Sequence, residues 1–281
     1  MLIPALAERG VTAAAAIWDD ASIDWNAFDL VVVRSTWDYA LRQQEFVAWA
    51  ESVPRLANPA EVLAWNTDKF YLRDLELAGV PVVPTIWLDP ARNLTSRAVH
   101  TRFPASGEFV VKPTVSAGAR DTGRYQSNEA DQRGLAIVHA RDLLRAGRHV
   151  MVQPYLKQVD TIGETGLVYI DGVFSHSVRK GPLLEGPNRR FEGLYKQEDM
   201  SARAATEAER VVADAIIAAL PTVAPGADDG PLLYARVDLV PDADGAPMLL
   251  ELELTEPSLF LSFGDGADGR VADAIANRVG L

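Results

Sequence analysis

The fold is decided by two stretches near the C-terminus, LLYARVDLV at residues 232–240 and MLLELEL at residues 248–254. Both are rich in apolar and β-branched residues with a turn-like segment between them, so they predict an antiparallel hairpin. Residues two apart on a strand share a face, which places Glu251 and Glu253 together. Asp238 lies in the partner strand and can share that face. The hairpin therefore predicts a group of three carboxylates.

This group of carboxylates has two interpretations. Like charges on one face repel each other, and a hard cation such as Mg²⁺, which prefers oxygen ligands, would remove the repulsion between Asp238, Glu251 and Glu253. Alternating Glu and Leu residues are also typical of the solvent-facing side of an antiparallel sheet. The pattern alone favours the polar face, so a metal site is a hypothesis that needs other signals.

The first 90 residues alternate between strand-like and helical patterns, which predicts a mainly parallel sheet with helices on its faces. The elements are a strand at Leu30–Val33, helices at Gln43–Glu51 and Thr67–Ala78, and a strand at Val82–Trp87. The chain begins with the second half of an amphipathic helix that ends at Gly10, followed by a strand-like Thr12–Trp18. Because an α/β domain ordinarily starts with a strand, we expect that its first strand is missing from this chain.

The remaining chain favours hairpins and long helices, which is typical of α+β lobes. Strand patterns occupy Thr161–Ile170 and Val173–Arg179, joined by Asp171-Gly172, a strong signal for a tight turn. The other elements are a strand at Phe109–Lys112, a helix at Asp131–Ala146, a strand at His149–Gln153, a loop at residues 181–197, and helices at Ala204–Ala219 and Arg270–Val279.

Two lysines are candidates for phosphate contacts. Lys112 ends an apolar strand just before a loop of small residues, 114–119, whose exposed backbone N–H groups can bind anions. Lys69 lies near the start of a predicted helix. A strand-end charge is an equally good interpretation of Lys112, and a solvated surface lysine is the ordinary interpretation of Lys69.

Two further segments are candidate binding sites. The segment Gln153–Leu156 follows a strand and contains a proline that cannot continue it, so its free backbone groups could bind an adenine edge; it could equally be a plain linker. A polar cluster follows the strand at Leu30–Val33, where open α/β sheets bind ligands. This cluster favours a substrate site that recognises a carboxylate, and its members are Arg34, Ser35, Thr36, Trp37, Asp38 and Tyr39.

Composition excludes several classes of function. The formal net charge of −12 argues against nucleic-acid binding, which needs a basic face. The absence of cysteine excludes disulfides and thiolate metal sites, and four scattered histidines have no zinc-ligand spacing. No apolar run approaches the roughly 20 residues of a membrane span, and the start does not resemble a signal peptide. We therefore expect a cytoplasmic protein with no membrane or nucleic-acid partner; a homo-oligomer is left open.

The order of the candidate residues resembles the ATP-grasp family of ligases. Lys69 is followed by Lys112 with its small-residue loop, the Gln153–Leu156 segment, Asp238, and the pair Glu251 and Glu253. The resemblance covers roughly residues 60–263 and implies two α+β lobes that hold ATP between them. We expect an N-terminal α/β substrate lobe at residues 1–88, a small α+β lobe with the phosphate loop at 89–153, and a C-terminal lobe with the metal site at 154–281.

The resemblance also implies roles for individual residues. ATP phosphates would contact Lys69, Lys112 and the loop containing Ser116, Ala117 and Gly118. The adenine and ribose would lie near Gln153, Tyr155, Leu156 and Glu164. Mg²⁺ would bind Asp238, Glu251 and Glu253, with Arg236 beside the transferred phosphoryl group. Many relatives have Glu-x-Asn where this chain has Glu251-x-Glu253, and Thr255–Ser258 departs from their common Asn-Pro-Gly ending.

Within that family, three segments resemble the cyclo-ligases that convert O-ureido-D-serine into D-cycloserine: RSTWDY at 34–39, NTDKFYL at 66–72 and ELELTEPSLFL at 251–261. The resemblance implies an ATP- and Mg²⁺-dependent carbon–nitrogen ligase whose substrate is a small amino acid. Its carboxylate becomes an acyl phosphate, and the ureido nitrogen closes the ring. The alternatives are an intermolecular amino-acid or peptide ligase of the same class and a nucleotide-binding protein without turnover.

Overall fold

The fold is seen in a computed structural model that describes residues 1–188 and 199–281. Its helices are α1 Leu2–Ala7, α2 Gln43–Ser52, α3 Ala60–Asn66, α4 Tyr71–Leu77, α5 Ser96–His100, α6 Ala130–Arg145, α7 Glu207–Val223 and α8 Ala267–Arg278. Its strands are β1 Ile86–Leu88, β2 Glu108–Pro113, β3 Gly123–Gln126, β4 Val150–Pro154, β5 Glu164–Ile170, β6 Val173–Lys180, β7 Met200–Ala202, β8 Tyr234–Pro241 and β9 Pro247–Glu253.

The strands form two antiparallel sheets. The first has the order β1-β4-β2-β3, and the second has the order β7-β6-β5-β8-β9. Both predicted hairpins of the second sheet are confirmed. The turn between β5 and β6 has Asp171 at φ 53° and Gly172 at φ 73°, the left-handed pair that a two-residue hairpin turn requires.

Helix α6 packs on the first sheet, and helix α7 packs on the second sheet, each through its apolar stripe. Ala136, Ala140 and Leu143 of α6 pack with the side chains of β2 and β4. Ala213, Ile216 and Leu220 of α7 belong to the largest core cluster, together with residues of β5, β8 and β9. Helix α7 starts after a capping box. The Thr206 hydroxyl accepts from the Glu209 backbone N–H, and the Glu209 carboxylate accepts from the Thr206 backbone N–H.

The N-terminal region has less sheet than its pattern predicts. Within the described residues, parallel pairing is limited to two isolated bridges, Val31 with Leu56 and Val82 with Leu249. Thr12–Trp18 forms no strand, because no neighbouring strand lies beside it in the described chain. Aromatic packing stabilises this region instead. Trp18 meets Phe46 edge-on at 5.5 Å between ring centroids.

Several element boundaries differ from the sequence-based prediction. The predicted helix Thr67–Ala78 begins only at Tyr71, because the chain turns after α3 and the Lys69 N–H donates to Thr114 at 3.0 Å. The predicted strand Val82–Trp87 is shortened to β1 because Pro84 interrupts it. Strand β1 pairs with β4 and therefore belongs to the first sheet. The expected lobe boundary after residue 88 thus lies between β1 and the other strands of that sheet. The division into three lobes stays a prediction.

Two further expectations concern the loop and the membrane. In the predicted loop at 181–197, residues 181–188 contain no helix or strand, and the rest lies outside the described residues. In the described part of the chain, no helix is both long and apolar enough to cross a membrane.

Candidate active site

A cavity of about 460 Å³ is lined by residues from both sheets and from the N-terminal region. Strands β2 and β4 contribute Lys112 and Gln153, and strands β5, β6, β8 and β9 contribute most of its charged side chains. The loop after β2 and the segment after β9 complete the wall. Concave sites of this size, with few polar groups among apolar ones, are typical of small-molecule binding.

The β8–β9 hairpin places the three predicted carboxylates on one face. Asp238 lies opposite Glu251, and Arg236 lies opposite Glu253. The pairing shifts by one residue after Asp238, which leaves Leu250 as the extra residue of a β-bulge. One carboxylate oxygen from each of Asp238, Glu251 and Glu253 lies within 4.8 Å of the others.

Cationic side chains separate these carboxylates. Lys69 Nζ lies 2.8 Å from Glu251, and Lys180 Nζ lies 2.8 Å from Asp238 and 3.1 Å from Glu164. Arg236 donates to Asp238 at 2.8 Å and also to Glu253. Positive and negative groups therefore alternate on this face, and its cations and Asp238 are buried, unlike the groups of a solvated polar face.

Burial and charge shift several pKa values at this face. Burial lowers the pKa of Lys112 to about 8, against the opposing attraction of Glu251. Burial raises the pKa of Glu253 to about 7, although Arg236 favours its ionised form. Burial also opposes the ionisation of Asp238, but Arg236 and Lys180 outweigh it and lower the pKa of Asp238 to about 2. Groups with shifted pKa values in a cleft are typical of active sites.

The small-residue loop after β2 closes one side of the cavity. Lys69 Nζ donates to the Ser116 carbonyl at 2.8 Å, which ties the loop to the break between α3 and α4. Gly118 and Ala119 have left-handed backbone angles, φ 60° and 57°, so the loop bends sharply there. Ser116, Ala117 and Gly118 line the cavity, as does Lys112.

The predicted adenine border also lines the cavity. Gln153 donates from Nε2 to the Thr85 hydroxyl at 2.9 Å, and Leu156 contributes an apolar wall. The Tyr155 ring lies 3.6 Å beneath the Arg124 guanidinium, which also binds Glu108. Glu164 lies in the same wall. All the residues predicted for phosphates, adenine and metal except Asp238 lie in the cavity wall, and Asp238 lies just behind it, fully buried.

The predicted substrate segment divides into two groups. Trp37 and Tyr39 line the cavity, whereas Arg34, Ser35, Thr36 and Asp38 do not. Arg34 donates to the Pro257 carbonyl at 3.0 Å. Asp38 accepts from Trp18 Nε1 at 3.2 Å and from Arg42 at 2.7 Å. Residues Trp37–Leu41 form a short 3-10 helix, so its side chains point in several directions.

Sequence reasoning missed three residues at this site. Lys180 ends β6 and lies opposite Glu164, because a bulge at Ser175 shifts the pairing by one residue. A Cβ atom on Gly166 would lie 3.1 Å from Asp238 Oδ1, so glycine there makes room for the buried carboxylate. Glu256 lines the cavity, and its only sequence signal was the departure of residues 255–258 from the common family ending.

The carboxylates and lysines at this site suit Mg²⁺ and the phosphates of ATP, the ligands that the resemblance implies. Three closely spaced carboxylate oxygens match the preference of Mg²⁺ for oxygen ligands. Lys69, Lys112 and Lys180 are buried lysines that line the cavity together with the small-residue loop, a combination that suits phosphates.

Known proteins resemble this chain over nearly its whole length. The chain is 42% identical over 283 residues to the cycloserine biosynthesis protein DcsG of Streptomyces lavendulae, and the match covers 99% of this chain and 92% of the relative. The chain belongs to the DcsG family of ATP-grasp ligases. The family model described as the N-terminal domain of D-cycloserine synthetase DcsG matches residues 1–58.

Solved structures extend this comparison. The crystal structure of D-cycloserine synthetase DcsG matches with a TM-score of 0.86 and 41% identity, covering 99% of this chain and 93% of that one. D-alanine–D-alanine ligase from Bacillus anthracis matches with a TM-score of 0.59 and 16% identity, covering 90% of this chain and 80% of that one, which shows the fold alone. The predicted ATP-grasp fold and the prediction of an ATP-dependent carbon–nitrogen ligase are confirmed.

Proposed function

We propose that this DcsG-family ligase uses ATP and Mg²⁺ to activate the carboxylate of O-ureido-D-serine and then closes the ring of D-cycloserine. The observation that carries the proposal is the face on which Arg236, Lys180 and Lys69 alternate with Glu251, Glu253 and Asp238. All of these residues line one cavity except Asp238, which lies directly behind its wall. The 42% identity to a cycloserine biosynthesis protein supports the choice of substrate.

The first step is transfer of the γ-phosphoryl group to the substrate carboxylate. This step needs positioning and neutralisation of charge more than a protein nucleophile. Lys112 and Lys69 would bind phosphate oxygens, and the loop 114–119 would exclude water that hydrolyses the acyl phosphate. Arg236, buried at 4% exposure, would face the transferred group.

The carboxylates Glu251, Glu253 and Asp238 would hold magnesium. Bound there, the metal would neutralise phosphate charge as a Lewis acid. Asp238 already has Lys180 and Arg236 beside it, and these two cations fix its orientation.

The second step is intramolecular. The ureido nitrogen that is bonded to oxygen attacks the acyl carbon, the carbon–nitrogen bond forms, and phosphate leaves with one carboxylate oxygen. The carbamoyl group is lost as carbon dioxide and ammonia with the consumption of one water molecule. Holding the folded substrate in the cavity lowers the barrier, because the reacting atoms are already oriented.

The test is an ADP-release assay with O-ureido-D-serine, its L-enantiomer and ordinary amino acids, combined with the mass of the product. We expect ADP release with O-ureido-D-serine and the mass of D-cycloserine. A product that joins two amino acids would instead indicate an intermolecular ligase. Absence of ADP release with every carboxylate would indicate a nucleotide-binding protein without turnover.

A further inference from the structure

Glu256 differs from the other acidic residues of the cavity wall. Glu164, Glu251 and Glu253 each have an ion-pair partner. The Glu256 carboxyl lines the same cavity at 8% exposure, yet within residues 1–188 and 199–281 it has no hydrogen bond or salt bridge. Burial and the neighbouring Glu253 raise the pKa of Glu256 well above its ordinary value, although Lys69 and Arg236 favour its ionised form. An ionised Glu256 therefore needs a further cationic partner.

The backbone around Glu256 is held rigidly. The carbonyl before it, Thr255, accepts from the Tyr234 hydroxyl at 2.9 Å. The Pro257 carbonyl accepts from Arg34 at 3.0 Å, and the Ser258 carbonyl accepts from Arg236 at 3.0 Å. Three side chains therefore fix the segment on both sides of Glu256, and they aim its carboxyl into the cavity without neutralising it.

A second polar group without a partner lies in the same wall. Tyr39 is 6% exposed, and its hydroxyl makes no hydrogen bond to any described residue. Burial raises the pKa of Tyr39 well above its ordinary value, and among charged groups Glu256 adds most to that rise. Tyr39 belongs to the N-terminal region and Glu256 follows β9, so two separate parts of the chain bring these groups together.

These two groups call for a cationic hydrogen-bond donor. The substrate of a carboxylate-activating ligase has its carboxylate near Arg236, and an α-amino acid carries its ammonium group on the adjacent carbon. The ureido group is neutral and does not supply the charge that Glu256 lacks. An ammonium group would also contact the aromatic walls of Trp37 and Tyr39 favourably.

We propose that Glu256 is a specificity-determining residue that binds the α-ammonium group of the substrate, with the Tyr39 hydroxyl as a second acceptor. The inference rests on the proposed function in taking the substrate to be an α-amino acid whose carboxylate lies near Arg236. It explains why the chain has Glu256 where the common family ending has no acidic residue. It also makes the cavity selective for amino acids over simple carboxylic acids, since the latter leave a buried charge unpaired.

The test compares the binding of two ligands by two proteins, the wild type and Glu256→Gln. Binding of O-ureido-D-serine and of 3-(ureidooxy)propanoate, which lacks the amino group, is measured by calorimetry with ADP and Mg²⁺ present. The wild type should prefer the amino acid by about 30-fold or more, and Glu256→Gln should lose most of that preference. In Tyr39→Phe the preference for the amino acid should fall by about fivefold, because a neutral hydrogen bond contributes less than a charged one.

Two controls separate recognition from structure. Glu256→Asp keeps the charge and should recover part of the preference, which a purely structural role would not produce. Glu207→Gln changes an exposed glutamate outside the cavity and should leave the preference intact. The affinity for ADP should be equal in all variants, since Glu256 is proposed to contact only the amino acid.

The outcomes of this test can be told apart from the outcomes of the ADP-release test of the proposed function. An undiminished preference in Glu256→Gln, or no preference in the wild type, would contradict the inference. A large loss of kcat in Glu256→Gln with the preference retained would indicate a proton-transfer role and would also contradict it. Absence of ADP release by the wild type would count against the proposed reaction, while the calorimetric comparison would still decide the role of Glu256.

Discussion

The β8–β9 hairpin and the segment Arg34–Tyr39 were both predicted as sites, but the structure uses them differently. In the hairpin, Glu251 and Glu253 line the cavity, and Asp238 lies directly behind its wall. In the segment, four of six residues do not line the cavity, and two of these four, Arg34 and Asp38, bind other parts of the protein. The difference teaches that a paired strand fixes the direction of alternate side chains, whereas the irregular chain between an isolated bridge and a short 3-10 helix does not.

This comparison predicts that changes in the hairpin affect chemistry most. Glu251→Gln should reduce turnover about 1,000-fold, because it removes a charged metal ligand while keeping the shape of the side chain. The measurement is steady-state ADP release. Glu76→Gln, at an exposed position, is the matched control and should be fully active. Near wild-type turnover of Glu251→Gln would remove this carboxylate from the metal site.

Lys112, in the other sheet, tests the phosphate side of the cavity. Lys112→Ala should weaken ATP binding about 10- to 100-fold, through loss of a charged hydrogen bond. The protonated ammonium binds phosphate, and burial places the pKa of Lys112 at about 8, so wild-type affinity for ATP should fall as pH rises through this value.

Calorimetry between about pH 7.5 and about pH 9.5 measures this fall. Lys112→Arg keeps its charge and should bind ATP with little change over the same range. A pH dependence that is identical in Lys112→Ala and the wild type would assign the titration to another group.

Gly166 tests how tightly the hairpin residues are packed. Gly166→Ala would place its Cβ 3.1 Å from Asp238 Oδ1 and 3.3 Å from Val178 Cγ2. We expect about a tenfold loss of activity and a loss of about 1–3 kcal/mol in the free energy of unfolding, because Asp238 must move.

Gly134→Ala is the matched control for this substitution. Gly134 lies within α6, and a Cβ atom there would meet nothing within 4 Å. It should stabilise the protein by about 0.5–1 kcal/mol, since alanine is the better helix former. Equal denaturation midpoints for Gly166→Ala and Gly134→Ala would contradict the close packing of Gly166 against Asp238.

Asp38 tests the other side of the comparison and has the smallest expected effect. Asp38→Asn weakens the hydrogen bonds to Trp18 and Arg42, and these groups are partly exposed to solvent. Unfolding in urea should show a loss of about 0.5–1 kcal/mol with kcat/KM unchanged. A large rise in the KM for the amino acid would show that Asp38 does contact substrate.

Period-two patterns predicted the carboxylate face, and the order of Lys69, Lys112 and Glu251 predicted the ATP-grasp fold. The exact pairing could not be predicted, because each hairpin contains a one-residue bulge. Counted from the turn without its bulge, β8 would pair Asp238 with Leu250, and Glu251 would point away. The same uncertainty in β5–β6 hid Lys180, which a regular hairpin would place on the opposite face.

The roles of other residues depend on long-range contacts that no local sequence pattern contains. Glu256 became a candidate because no described residue forms an ion pair or hydrogen bond with its carboxyl, and this is a property of three separate segments. Arg34 follows a buried strand, as binding residues often do, but its guanidinium meets the Pro257 carbonyl more than 200 positions away.

Oxygen transfer from the substrate carboxylate tests the central claim most directly. O-ureido-D-serine with both carboxylate oxygens labelled with ¹⁸O is incubated with the enzyme, ATP and Mg²⁺, and the released phosphate is analysed by mass spectrometry. Activation through an acyl phosphate predicts one ¹⁸O atom in each phosphate and one in the ring carbonyl. Unlabelled phosphate accompanying ring closure would contradict the account.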